Sequence, residues 1–264
     1  MDLELVKRVG IAAAYKGQRV LLSHYGGEKS KVDKKGAIDL VTEADTESEK
    51  AIIETIKKAF PDHTVLAEES GLNKGEADHK WIVDPLDGTT NFAHRLGLFA
   101  ISIAFALSGD TVIAIVLSPV TGELFTAVKG KGAELNGRPI NVSNAQTVSE
   151  SLLVTGFPYH LTDGFNPMMT RFSNCLKASQ GVRRLGSAAM DLCFVACGRF
   201  DGFWEQNLQP WDKAAGVIIA AEAGAVITNF AGRPFSISQN EILVSNGRIH
   251  QEMLELLRLE SSRF

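Results

Sequence analysis

Trp81-Ile82-Val83-Asp84-Pro85-Leu86-Asp87-Gly88-Thr89-Thr90-Asn91-Phe92 is the stretch on which the reading of this chain turns. Its apolar opening reads as a buried strand that delivers Asp84 at its carboxyl end. Pro85 has no N–H to give a ladder, so it is expected to break the strand, after which Asp87 returns a second carboxylate. Two carboxylates three residues apart at a strand end can converge on a hard cation. Magnesium prefers oxygen ligands at about 2.0–2.1 Å in an octahedral shell and keeps waters that a substrate can displace. Gly88 permits close backbone approach, and amides at the following helix start can hold an anion. The competing reading is an Asx-type turn, with Asp84 and Asp87 only capping local amides.

Two further acidic positions weigh against that competitor. Val65-Leu66-Ala67 is a short apolar run ending in Glu68-Glu69, so a carboxylate can lie beside Asp84 on a neighbouring strand. Asp212 follows Trp211 at the start of WDKAAGVIIAAEAG, a long helix of small residues, where alone it would read as a helix cap. Carboxylates crowded in this way repel one another unless a cation sits between them, so the cluster itself predicts metal. Asp45 opens a helix whose Ile52, Ile53, Ile56 and Phe60 recur at helical spacing; it is a helix cap or a site residue.

The rest of the chain supplies a layered α/β scaffold. A first helix is expected from about Asp2 to Ser23, followed by a loop or hairpin over GGEKSKVDKKG. AISIAFAL, VIAIVL and ELFTAV form a meander with turns at Ser108-Gly109-Asp110 and Pro119–Gly122, and Asn136-Gly137 marks a tight hairpin. Beyond it, strands SLLVT, DGFWE, 225–228 and ILVSN alternate with helices near 165–177, 188–196 and 212–223, and a helix ends the chain. Strands between helices predict sheets covered by helices. The lobe boundary falls near residue 145, dividing an N-terminal lobe (1–145) that carries most metal ligands from a C-terminal lobe (146–264) that carries substrate-side residues and Asp212.

The composition is globular: 264 residues, 45% hydrophobic and 22% charged, with net charge −4. No basic stripe points to nucleic acid; the cluster Lys29–Lys35 reads as a solvated loop. No window approaches the ~20 apolar residues of a membrane span. Cys175, Cys193 and Cys197 are odd in number and lie in apolar surroundings, so they are core thiols, and with no secretory pattern the expected setting is the cytoplasm. A GxGxxG after a strand and a GxxxxGK[ST] are both missing, which removes dinucleotide-dependent reductases and P-loop kinases.

WIVDPLDGTTNF, the upstream EES and the downstream WDKAAG, in this order and together with GAIDLVTEAD and RRLGSAAMDL, resemble the inositol monophosphatase family from about Lys34 to Ala225. The resemblance implies the α/β/α/β/α sandwich shared with fructose-1,6-bisphosphatase, a homodimer, Mg2+ as cofactor, a small phosphorylated polyol as substrate, and lithium sensitivity. By motif position, Glu68, Asp84, the Leu86 carbonyl, Asp87 and Asp212 are the metal ligands. Asp45 and Thr89 are the pair that orients and activates water, Asp45 accepting from the Thr89 hydroxyl, and Glu68 is catalytic as well as a ligand. Lys34 matches a lysine of the family's metal-site loop. Gly186, Ser187 and Ala188 match the inositol-contacting turn, and Glu205 an acceptor of hydroxyl hydrogens; Leu86, Asp87, Gly88, Thr89 and Asp212 complete the substrate contacts. Arg183 and Arg184 belong to a dimer seam or the pocket rim. DGTTNF favours the inositol group over nucleotide 3′-phosphatases, while fructose-1,6-bisphosphatase or histidinol-phosphatase activity, or a non-catalytic scaffold, are the alternatives.

Overall fold

The computed structural model describes residues 1–26, 32–34, 40–158 and 164–259. Most of the GGEKSKVDKKG loop, including Lys35, lies outside them, as do the first four residues of GAIDLVTEAD. Lys34 ends a short strand, β1 (Val32–Lys34), paired antiparallel with β2 (Leu40–Thr42).

Helix α1 (Leu3–His24) begins where the sequence placed it, because the Asp2 carboxylate caps it by accepting from the Glu4 and Leu5 amides at 3.0 and 3.1 Å. Its buried stripe Val6, Gly10, Ala13, Ala14, Gly17 and Leu21 faces α2 (Glu43–Ala59) and the first large sheet. Two glycines set the approach. A Cβ on Gly10 would meet Ile115 Cδ1 at 2.7 Å, and one on Gly17 the Ser48 Oγ at 2.8 Å. Helix α2 starts two residues before Asp45, which therefore sits inside the first turn and is buried.

The first sheet has eight strands: β3 (His63–Ala67), β4 (Gly71–Asn73), β5 (Glu76–Asp87), β6 (Ala100–Leu107), β7 (Asp110–Leu117), β8 (Leu124–Val128), β9 (Ala133–Leu135) and β10 (Arg138–Ile140), ordered β10-β9-β8-β7-β6-β5-β3-β4. Every pairing is antiparallel except β3 with β5. Asn136 and Gly137, at φ 51° and 74°, make the expected tight turn. Pro85 does not end its strand: β5 continues to Asp87. Asp84 pairs with Ser102 and Asp87 with Ala100, so three steps on β5 match two on β6. The missing N–H is absorbed in a bulge, which re-aims side chains near the strand end.

The second sheet, ordered β12-β11-β13-β15-β14, contains β11 (Leu152–Thr155), β12 (Gly181–Arg183), β13 (Gly202–Gln206), β14 (Val226–Thr228) and β15 (Glu241–Ser245). β12 had no alternating pattern to reveal it; it is a three-residue edge strand parallel to β11. Between the sheets lie α5 (Ala188–Ala196) and α6 (Pro210–Glu222); α4 (Phe165–Ala178) and α7 (His250–Leu257) cover the outer face of the second sheet, and one-turn α3 (Thr89–Ala93) follows β5. The layers are thus α1/α2, sheet, α5/α6, sheet, α4/α7.

Three hydrophobic clusters fill the gaps, and the middle one runs from Ile82 and Phe125 of the first sheet through Leu192 and Ile219 to Phe203 of the second. Polar ties reinforce this seam: Glu222 accepts from the Gly130 and Gly132 amides at 2.8 Å each, and the Ser102 hydroxyl donates to the Trp211 carbonyl at 3.2 Å. None of the described helices is long and apolar enough to cross a membrane.

Candidate active site

At the carboxyl end of β5, the bulge, α3, and the starts of α5 and α6 enclose a cleft of about 220 Å³. Glu68, Asp84, Asp87, Asp191, Glu205 and Asp212 line it, with Arg184 as the cation among the described lining residues. Leu86, Gly88, Thr89, Gly186, Ser187 and Ala188 also border it. The structure therefore brings together residues spread from 68 to 212, as the motifs predicted. Asp45 is not on the cleft surface; it is buried behind it, and its charge acts on Asp84.

Each side chain is positioned by a local device. The Asp84 Oδ1 accepts from the Leu86 amide at 2.9 Å, so the Asx-turn reading describes one of its oxygens. Asp87 Oδ2 crosses the seam, accepting from the Ser187 hydroxyl at 2.6 Å and the Ala189 amide at 2.7 Å. Ser187 is also the N-cap of α5, accepting from the Met190 amide. Asp212 is the third residue of α6 rather than its cap: Pro210 takes the first helical position and Asp212 Oδ2 reaches back to accept from the Gln209 amide at 2.7 Å. Glu68 follows β3, and the turn beyond it is held by buried Glu49, whose two oxygens accept from the Glu69 and Ser70 amides at 2.8 and 2.9 Å.

One expected link takes another form. The Thr89 hydroxyl donates to the Leu86 carbonyl at 3.2 Å, not to Asp45. Thr89 is the first residue of α3, and a carbonyl three residues back is within the usual local reach of a threonine hydroxyl. A carbonyl has two lone pairs, so Leu86 keeps acceptor capacity.

Sequence reasoning missed Asn91, Gly156 and Asp191. The Asn91 amide donates to the Leu98 and Leu185 carbonyls at 2.6 and 2.8 Å, clamping the DGTTNF turn to the turn that leads into α5. Gly156 leaves the space that Glu205 fills: a Cβ there would lie 2.2 Å from both Glu205 carboxylate oxygens. No local pattern marks either contact, since each joins distant segments.

Gly88 has φ +103°, and a Cβ would stand 3.1 Å from the Leu98 carbonyl and 3.2 Å from that of Gly186. Gly88→Ala should therefore lower unfolding free energy by about 1–2 kcal/mol from the left-handed backbone alone, read from the denaturant midpoint. An unchanged midpoint would show that the turn can relax.

Burial dominates the electrostatics. It holds Asp84 well above the usual carboxylate range, helped by Glu68, Asp87, Asp212 and Asp45. It raises Asp87 to about 6, against the hydrogen bonds from Ser187 and the Ala189 and Ala188 amides. Glu205 and Asp212 are each pushed up to about 8, by burial first and then by neighbouring carboxylates. The protein has built a site that resists its own negative charge. Among the described residues no three His, Cys, Asp or Glu side chains converge as a ready-made cage. Magnesium needs none: one or two carboxylates, waters and substrate phosphate complete its shell. The donors are hard oxygens, so their chemistry fits that cation and not a soft one.

The comparisons with known proteins agree with this geometry. The family model described as the inositol monophosphatase family matches residues 2–262. An inositol-1-monophosphatase of Synechocystis is 42% identical over 258 residues, 97% of this chain and 90% of that protein. The Nus factor SuhB of Escherichia coli K12 is 40% identical over 260 residues, 96% of each chain. Among solved structures, the extragenic suppressor protein suhB of Bartonella henselae superposes with a TM-score of 0.93 at 39% identity, covering 96% of this chain and 98% of that one. A motif order read from the sequence, an acidic cleft built across two sheets, and relatives matched along nearly the whole chain agree: this protein is a phosphatase and belongs to the inositol monophosphatase family.

Proposed function

We propose that this protein uses magnesium and water to hydrolyse the phosphate monoester of a small cyclic polyol, inositol monophosphate foremost. The observation that carries the reading is a single cleft that gathers hard oxygens together with a buried hydroxyl acceptor. Glu68, Asp84, Asp87 and Asp212 line it along with buried Glu205, and Asp87 is tied across the seam to Ser187. The names of the relatives support the substrate class.

Glu68, Asp84, Asp87, Asp212 and the Leu86 carbonyl would share the bound magnesium among them, no three of the carboxylates on one ion. Bound there, magnesium supplies Lewis-acid chemistry, lowering the pKa of water and stabilising the phosphate and leaving-group oxygens. The protein's own groups do the rest. Gly88 and Thr89 border the place of the phosphate, and Thr89 with Asp45 behind it orients the attacking water. Ser187 fixes one Asp87 oxygen, which leaves the other for ligand. Glu205, wedged against Gly156, accepts a hydroxyl hydrogen of the leaving polyol. The same proposal includes a homodimer, lithium inhibition and a cytoplasmic setting, supported by the family resemblance.

Phosphate release should be compared for inositol-1-phosphate, fructose-1,6-bisphosphate, histidinol phosphate, adenosine 3′,5′-bisphosphate and phenyl phosphate. Inositol-1-phosphate should show the highest kcat/KM, and a clear preference for another member would replace it. Glu205→Gln keeps size but halves acceptor capacity, so kcat/KM should fall by about 10-fold or more on inositol phosphate and much less on phenyl phosphate. Equal losses would move Glu205 from recognition to general stability. The relatives named Nus factor support a second reading, a partner-binding role. A folded protein that, with magnesium, releases no phosphate from any of these compounds would leave that role as the function.

A further inference from the structure

One side chain in the cleft has no role in the account above. Asp191 lies in the first turns of α5, a helix otherwise built from Ala188, Ala189, Met190, Leu192, Cys193, Phe194, Val195 and Ala196. The carboxylate is 1% exposed, and its Oδ1 has no hydrogen-bond partner. A buried carboxyl oxygen left without a hydrogen bond is costly for a fold to carry, and an apolar residue would suit this helix better. The helix dipole does not settle the cost, because Ser187, Met190 and the Ala189 amide already use the first-turn groups on each other and on Asp87.

Its position gives the reason. Asp191 lines the cleft beside Glu205, and the charges of the two carboxylates act on each other. Glu205 is pressed where a Gly156 side chain would otherwise stand, and Gly156 and Phe157 border the cleft beside it. Arg184, exposed at the rim, is the cation whose field reaches both. Two neighbouring carboxyl groups offer acceptors for two hydroxyl hydrogens at once, a demand that only an alcohol with adjacent hydroxyls meets. A phenol or a simple alkyl alcohol would leave one of them unsatisfied, which is how a polar site rejects an analogue lacking a hydroxyl.

We infer that Asp191 is a specificity-determining residue, receiving a second hydroxyl of the leaving polyol next to the one taken by Glu205 and so selecting vicinal diols. The inference rests on the phosphatase reading given above and adds to it the alcohol that the site prefers.

The test uses the magnesium-loaded wild type, Asp191→Asn and Asp191→Leu, assayed on inositol-1-phosphate, its monodeoxy analogues and phenyl phosphate. Asp191→Leu should lower kcat/KM for inositol-1-phosphate by about 10–100-fold, the range for one hydrogen bond to a charged group, and should cost phenyl phosphate far less. One deoxy analogue should lose a similar factor with wild type and little further with the variant, because the same contact is already gone. Without substrate, Asp191→Leu should melt higher than wild type, since a buried carboxyl oxygen without a hydrogen bond has been removed. If Asp191→Leu does not fold, the near-isosteric Asp191→Asn decides by the same deoxy comparison. Equal losses on inositol and phenyl phosphates, or losses that multiply with every deoxy analogue, would overturn the inference and leave the phosphatase reading intact. A wild-type protein that releases no phosphate from any of these esters would overturn that reading and this inference together.

Discussion

Chelating magnesium should abolish phosphate release and leave a protein whose stability falls as pH rises from about 5 to 8.5. The first effect follows from the proposed division of labour, in which Glu68, Asp84, Asp87 and Asp212 share the magnesium that does the chemistry. The second follows from the pKa directions. Folded Asp87 titrates at about 6, and Glu205 and Asp212 at about 8, all above their ordinary values. Between about pH 4 and 8 the folded metal-free protein therefore holds protons that the unfolded chain has released. Stability falls with pH wherever the native state binds more protons, so the penalty is absent below about 4, grows as pH rises past about 6 and about 8, and is complete only once pH is well above the higher of these. One pKa unit is about 1.4 kcal/mol, so the cluster can cost several kcal/mol.

Thermal melts in chelator at pH 5, 7 and 8.5 should show this slope. It should shrink in Asp212→Asn, and magnesium should raise the midpoint most at high pH. Calcium should also raise the midpoint while supporting little turnover, because it tolerates irregular shells. Full activity in excess chelator would remove the metal site, and a melting point that climbs with pH in chelator would contradict the burial of these carboxylates.

Thr89→Ala should reduce turnover by about 10²–10⁴-fold, the range for a lost acid–base contributor, while magnesium and substrate affinities change far less. The structure sharpens this experiment. The Thr89 hydroxyl donates to the Leu86 carbonyl and keeps its lone pairs, so it can accept from water as it stands, and pairing with Asp45 would require the hydroxyl hydrogen to turn from Leu86 to that carboxylate. Asp45→Asn should then give a comparable defect, and the double variant should be little worse than either single one. Independent losses that multiply would show that the two residues act separately. Near-normal turnover in Thr89→Ala would leave Thr89 as a helix-start residue whose bond to Leu86 is its whole purpose.

The way these residues meet separates two kinds of information. Local chemistry was legible: the start of α1 near Asp2, the Asn136-Gly137 turn, the meander of β6 to β8, and the small-residue character of α6 depend on neighbours within a few positions. Pro85 shows the limit of such reasoning. Its missing N–H was legible, yet whether the strand would stop or bulge depended on β6, which holds Asp87 opposite Ala100. The three-residue edge strand β12 was invisible because its pairing with β11, not its own pattern, makes it a strand.

For the site, the sequence by itself marked Glu68, Asp84, Asp87, Glu205 and Asp212 and the turns at Gly88 and Gly186 as candidates, because a carboxylate at a strand end and a glycine at a turn carry their chemistry with them; it did not mark Asp191. Only the tertiary structure decided which oxygen of each is free. Ser187 and Ala189 donate to one oxygen of Asp87, the Gln209 amide donates to one of Asp212, and the Leu86 carbonyl accepts from the Thr89 hydroxyl. It also decided that Gly156 would make room for Glu205 and that Asp191 would be buried without a partner for Oδ1. The physical reason is range. Propensity and capping act over one turn of chain, whereas burial and hydrogen bonding across the seam depend on segments scores of residues apart, whose meeting no local pattern encodes.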